Sequence, residues 1–230
     1  MASLAQIERI GHRGAPNERL ENTLASFRRA VELGATAVEL DVHVSLDGVP
    51  VVHHDPALHR DVSPKRFANA ALAVLDSREV ADVRLNSGDA VPFLADVLRA
   101  LTPTTKVYVE IKGGSPTSIA RVIDPFRGSV AVHSFDHDAI VEMARLASDI
   151  PRGILLEHPT DDLASLVRRT GASDVWPAYR LVDELFMARA TSCGVRVIPW
   201  TVNSRRAIRH LTELAVAGIC TNDLSLFDAR

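Results

Sequence analysis

The sequence predicts an α/β chain built as a single-domain (β/α)8 barrel with a short insertion after strand two. Three observations carry this. Short β-rich runs begin near residues 7, 37, 106, 130, 153, 174, 196 and 218, and each is followed by a helical pattern or an insertion. The 230 residues, 47% of them hydrophobic, suffice for one barrel core, since such barrels commonly need about 200–250 residues. The chemically distinctive side chains cluster where these runs end, which in a barrel is the face that carries the site.

Ile7 to Gly11 reads as the first strand, and His12-Arg13-Gly14-Ala15-Pro16 ends it in a loop forced by glycine and proline. Asn22 is the expected N-cap of a helix over 23–33, where Leu24, Phe27, Ala30 and Val31 recur at helical spacing and Gly34 is the stop. Strand two, 37–44, holds Glu39 and Asp41. In a strand these two share one face while Val38, Leu40 and Val42 line the other. Asp47-Gly48 signals a hairpin, and Pro50 to Pro56 is a short extended return that brings His53 and His54 to the rim of strand two.

Residues 57–91 have weaker periodicity and more charge, and we assign them to loops and short helices over the rim, inside one domain spanning 1–230. Leu94, Val97, Leu98 and Leu101 then mark a helix, and residues 106–112 form a strand closed by Gly113-Gly114, with Glu110 and Lys112 on one face. Helices are expected near 116–126, 136–147, 161–169, 182–192 and 204–214, with Ser134 or Asp136 capping the second of these and Asn203-Ser204 opening the last.

Composition excludes several classes of function. The formal net charge is −3, neither sign forms a long run, and aromatics are 5%, so there is no nucleic-acid footprint. No stretch reaches the roughly 18 uncharged apolar residues of an integral membrane segment, and residues 1–6 lack a basic region followed by an apolar core, so a cytoplasmic location is expected. Cys193 and Cys220, on a helix end and a strand, have no zinc-like spacing and are expected as buried thiols. The oligomeric state is not legible.

Two acids on one strand face need a cation, hydrogen bonds or water to stay charged. Glu39, Asp41 and Glu110 together offer three hard oxygen donors suited to Mg²⁺, Ca²⁺ or Mn²⁺ and poorly suited to zinc; equally, they can pair with Arg13 and Lys112 as buried ion pairs. His12 and His54 end segments at the same rim and are candidates for an acid/base pair, against plainer roles as a loop histidine and a partner of Asp55 in an Asx-Pro turn. Arg13, in a forked geometry, and Lys112, as a point charge, suit a phosphate. Trp200 fits either a contact with polyol carbons or a core position. His53 is expected to point outward, His133 to reach the rim at most, and His43, His59, His137, His158 and His210 to be surface or structural.

His12-Arg13-Gly14-Ala15, Glu21-Asn22-Thr23, Glu39-Leu40-Asp41-Val42, His54-Asp55, Glu110-Ile111-Lys112 and Trp200-Thr201-Val202-Asn203 resemble, in this order, the motifs of the glycerophosphodiester phosphodiesterase family. The resemblance covers residues 7–223. It implies a TIM barrel hydrolysing a small-molecule glycerophosphodiester to glycerol 3-phosphate and an alcohol. It also implies Glu39, Asp41 and Glu110 as ligands of a divalent cation, His12 and His54 as the acid/base pair, and Arg13 and Lys112 as phosphate contacts. Alternatives on the same frame are a lysophospholipase D, a phospholipase-C-like activity, or a barrel that binds phosphodiesters without cleaving them. The chain departs from the family pattern at Asp61-Val62, where Thr-Thr is usual, at Phe93, and at Thr221-Asn222-Asp223, where Thr-Asp is commoner. The first two departures bear on the alcohol, and the third on a contact behind the site.

Overall fold

The computed structural model describes residues 7–101 and 105–228; residues 1–6, read above as carrying no leader, lie outside it. The elements run β1 (Glu8–His12), α1 (Leu24–Glu32), β2 (Ala37–Val44), β3 (Pro50–Val52), α2 (Ser77–Asp82), α3 (Leu94–Leu101), β4 (Lys106–Ile111) and α4 (Pro116–Ile123). They continue with β5 (Val130–Ser134), α5 (His137–Leu146), β6 (Arg152–Leu156), α6 (Leu163–Thr170), β7 (Asp174–Pro177), α7 (Glu184–Ser192), β8 (Arg196–Val197), α8 (Arg205–Glu213) and β9 (Gly218–Thr221).

The strands pair in the order β8-β7-β6-β5-β4-β2-β1-β9, all parallel, with β3 added antiparallel to β2. Ala217 N donates to Val197 O at 2.9 Å and Cys220 N to Pro199 O at 3.0 Å, which draws β9 against the β8 side and nearly closes the barrel. The (β/α)8 architecture is therefore present, and all eight expected strands belong to it.

Alternation along β2 sorts side chains as the pattern predicts. Val38, Leu40 and Val42 are buried among the helices, in the core that also holds Phe27, Leu98 and Ile119, while Ala37, Glu39 and Asp41 face inward. Ile10, Ala37, Tyr108, Ala131, Trp176 and Ile198 fill the barrel axis below the acids. At the floor, Arg196 pairs with Glu8 and Asp174 while Lys106 and Glu8 bond the Tyr108 hydroxyl, so a satisfied polar network seals the end opposite the site.

The 57–91 segment is loops, 3₁₀ turns at Lys65–Phe67 and Leu72–Val74, and α2, whose Asp76 and Glu79 form a capping box. Leu58, Val62, Phe67, Leu72, Val80, Val83 and Val91 pack with Val51 into a small core of their own. That core is seated on β3. Helix α1 differs from expectation: its N-cap is Thr23, whose hydroxyl accepts from Ser26 N at 3.1 Å. Asn22 is left-handed (φ 56°), whereas a capping residue needs extended backbone, and its amide turns to Asp41 instead. Asp136 caps α5 as anticipated. Cys220 is buried, but Cys193, at the end of α7, is only half-buried. Among the described residues no helix is long and apolar enough to cross a membrane.

Candidate active site

Strand register fixes the acids. Asp41 pairs with Glu110 across the β2–β4 ladder, and Glu110 pairs with His133 across β4–β5, so neighbouring strands aim three groups into the mouth at one level. Glu39, Glu110 and His133 each bring a ligand atom within 4.8 Å of the others, all buried. His133 Nε2 lies 3.8 Å from Glu39 Oε1. Sequence reasoning placed His133 no closer than the rim, yet strand alternation carried the signal: Val130 and Val132 pack outward, so Ala131 and His133 must face in.

Asp41 is held from three sides. Asn22 Nδ2 donates to its Oδ2 at 2.8 Å, Arg13 Nε pairs with the same oxygen at 3.0 Å, and Lys112 Nζ lies 3.3 Å from Oδ1. Lys112 Nζ is also 2.8 Å from Glu110 Oε1, and Arg13 reaches Glu21 at 3.0 Å. Both readings of the acids thus find support, because ion pairs form while Glu39 Oε1 is shielded from solvent without a hydrogen-bond donor, and Asp41 Oδ1 and Glu110 Oε1, equally shielded, share the single ammonium of Lys112. Four carboxylates face two cations here. The formal excess of two negative charges is that of one divalent cation, and these shielded oxygens are the hard donors such an ion takes.

Electrostatics follow from burial. Loss of solvent, then the Asp41 charge, pushes Glu39 up to about 7; loss of solvent, with Glu39 and Asp41 adding to it, likewise pushes Glu110 up to about 7. Burial also acts on Asp41, but Arg13 and Lys112 outweigh it and hold its carboxyl below the usual range. Burial pulls His133 down to about 4, so it presents a neutral ring, the form that can ligate a metal.

Arg13 has a left-handed backbone (φ 55°), strained for a side chain of its size, and its N–H donates to Glu39 Oε2 at 3.1 Å. The adjoining Gly14 (φ 93°) has no substitute, since a Cβ there would lie 2.4 Å from Ser26 Oγ. The turn that aims Arg13 at the acids therefore depends on its glycine.

His12 Nδ1 lies 2.6 Å from Asn222 Oδ1, and His54 Nδ1 lies 2.8 Å from Asp55 Oδ1. Each oxygen accepts, so each ring carries its proton on Nδ1 and keeps Nε2 for chemistry. Both histidines line one cavity of about 240 Å³ with Arg13, Glu39, Glu110, Lys112 and Trp200. Of the site residues named from sequence, only Asp41 stands behind the wall rather than on it. Trp200 is half-buried, its Nε1 donating to Trp176 O at 2.9 Å, and meets Phe135 edge-to-face at 5.4 Å. Asn203-Ser204 opens α8 as expected, with Ser204 at the N-cap, and Asn203 Oδ1 also accepts from Asn222 N at 2.9 Å and so steadies the loop behind His12. His53 does not point outward: it is half-buried beneath the 57–91 segment, because the outward face of that turn is covered.

The model of the glycerophosphoryl diester phosphodiesterase family matches residues 12–226. The chain belongs to this family. A probable glycerophosphodiester phosphodiesterase of Mycobacterium tuberculosis is 36% identical, with 94% of this chain and 88% of that protein covered. A lysophospholipase D of Rattus norvegicus is 34% identical, with 93% and 82% covered. Among solved structures, a phosphodiesterase of Oleispira antarctica in complex with its product sn-glycerol-3-phosphate superposes with a TM-score of 0.84 at 19% identity, covering 95% of this chain and 94% of that one. As a member of the glycerophosphoryl diester phosphodiesterase family, the chain is an enzyme of the phosphoric diester hydrolase class.

Proposed function

We propose that the chain hydrolyses glycerophosphodiesters to glycerol 3-phosphate and an alcohol, with His12 and His54 as proton carriers and a divalent cation at Glu39, Asp41 and Glu110. The observation that carries this reading is the opening of His12, His54, Arg13, Lys112 and two buried carboxylates onto one cavity. Glu39 and Glu110 supply its hardest donors, and His133 stands where it can add a nitrogen. The cation supplies Lewis-acid stabilisation of charge developing on phosphate oxygens. Arg13 and Lys112 bind the diester phosphate, and their attachment to Asp41 fixes where they stand. One histidine takes the proton of the attacking hydroxyl through Nε2, and the other protonates the leaving alkoxide. Trp200 packs against the glycerol carbons. The whole chain acts as one catalytic domain in the cytoplasm, its product entering glycerol and lipid metabolism.

Release of glycerol 3-phosphate from a panel of glycerophosphodiesters, with Mg²⁺, Ca²⁺, Mn²⁺ or chelator, tests the reading. Release that needs a divalent cation supports it, and no release under any condition overturns it. A second reading, lysophospholipase D activity, is favoured by the 34% identity to the Rattus norvegicus enzyme, and alcohol release from lysophospholipids under the same conditions decides it.

A further inference from the structure

The two proton carriers are mounted differently. His12 is the last residue of β1, whereas His54 lies beyond the end of β3, which stops at Val52. The pairing of β3 with β2 is prolonged by one bond, from His53 N to Asp41 O at 3.0 Å. One residue further on, a side chain takes over: His43 Nε2 lies 3.0 Å from the His54 carbonyl oxygen. A carbonyl can only accept, so the His43 ring carries its proton on Nε2 and donates it. The other edge of that ring faces Gly113, where a Cβ would lie 3.4 Å from Nδ1 and 3.8 Å from Cε1. His43 is thus seated between the segment that carries Lys112 and the one that carries His54.

The carbonyl held in this way belongs to the peptide unit that joins His54 to Asp55. Asp55 Oδ1 is also the oxygen 2.8 Å from His54 Nδ1. One rigid plane therefore carries the proton-transferring ring at one end and the carboxylate that orients it at the other. Turning that plane changes the backbone on both sides at once and swings the carboxylate off the ring. Pro56 restricts Asp55 to extended backbone, and the His43 bond fixes the tilt that remains. The His54 side chain is 35% exposed, so packing does little to hold it and its hydrogen bonds decide its aim.

His43 shares the inner face of β2 with Glu39 and Asp41, yet it does not line the reaction cavity. We infer that His43 is a positioning residue that holds the His54–Asp55 peptide so that His54 presents Nε2 to the cavity and Nδ1 to Asp55. This rests on the phosphodiesterase reading and deepens it, adding a residue that stands behind the cavity wall and acts through His54.

The test measures glycerol 3-phosphate release from the best-cleaved member of a glycerophosphodiester panel. His43→Leu keeps the bulk and loses the donor, and should lower kcat about five- to thirtyfold with KM within about twofold, because Arg13 and Lys112 stay in place. His43→Gln sets an amide N–H at the reach of Nε2 and should hold kcat within about threefold of wild type. His43→Asn, one carbon shorter, should behave like the leucine variant. In a His54→Ala background, His43→Leu should lower the residual rate by less than about twofold, since a residue that acts through a ring has no effect once the ring is gone. Imidazole nitrogen NMR adds a readout without turnover: the neutral His54 ring should keep its proton on Nδ1 in the wild type and His43→Gln, and share it between both nitrogens in His43→Leu. Undiminished kcat in His43→Leu, an equal fall in the leucine and glutamine variants, or a loss that persists in full in the His54→Ala background overturns the inference and leaves the phosphodiesterase reading intact. If no diester is cleaved, that reading falls and the His54 tautomer decides, with the same tautomer in all three proteins overturning the inference.

Discussion

His12 Nδ1 lies 2.6 Å from Asn222 Oδ1, a contact between residues 210 positions apart that leaves Nε2 as the ring nitrogen free to face the cavity. Removing the amide should free the ring to rotate and exchange tautomers. Asn222→Ala is expected to lower kcat about two- to tenfold, the value of one hydrogen bond, with KM little changed. Asn222→Asp places a full negative charge behind the ring and should move to higher pH whichever limb of the pH–rate profile His12 sets, the lower if it is the base and the upper if it is the acid. An unchanged profile in both variants would remove Asn222 from the site.

His12→Ala and His54→Ala should each cost about 10²–10⁴ in kcat. Binding of glycerol 3-phosphate, measured by calorimetry, should stay within a few-fold, because Arg13 and Lys112 remain. Undiminished turnover in either variant refutes the proton-carrier assignment.

The buried acids give a pH signature. Glu39 and Glu110 rise from the ordinary 4.5 to about 7 on folding. A folded value above the unfolded one means that their contribution to stability is complete below the unfolded value and is lost as pH rises through about 7. A bound cation relieves the burial of their charge, so Mg²⁺ should raise Tm more at about pH 8 than at about pH 5, and its binding near pH 6 should release protons, read as a buffer-dependent calorimetric enthalpy. Glu110→Gln should weaken both effects. A Tm increment independent of pH would count against the carboxylate site.

Gly153 sits under the cluster: a Cβ there would lie 2.8 Å from the Trp176 ring and 3.1 Å from His133 Cβ. Gly153→Ala should cost about 1–3 kcal/mol by overpacking, read from the denaturation midpoint. It should also displace His133, and metal affinity below wild type at a pH where the variant stays folded would show that this ring contributes. Unaltered affinity would reduce His133 to packing.

Much of this was legible in the sequence because it depends on short-range periodicity. Period-two alternation on β2 alone put Glu39 and Asp41 on the inner face, and the alternation of strands and helices put His12, Glu110 and Trp200 at one mouth. Partners set by closure of the chain were less legible. Asn22 looked like a cap because its residue type suits one, and only the left-handed turn that carries it to Asp41 decides otherwise. The Asn222–His12 contact exists because β9 returns beside β1, a neighbourhood that no local pattern encodes. The placement of His53 is not legible locally because the two faces of its turn are told apart by what covers them, and the cover is a segment with its own core.

That separate core sets the 57–91 segment apart from the reaction centre in the way a tool-holder is set apart from a motor. The acids, Arg13 and Lys112 take their positions from β1, β2, β4 and the turns that follow them, and Asp61, Val62 and Leu85 take theirs from a unit whose apolar contacts are mostly internal. Sequence change within this unit can therefore be absorbed by its own packing while the cage of oxygens beneath it keeps its dimensions, so the segment can diverge as a cassette.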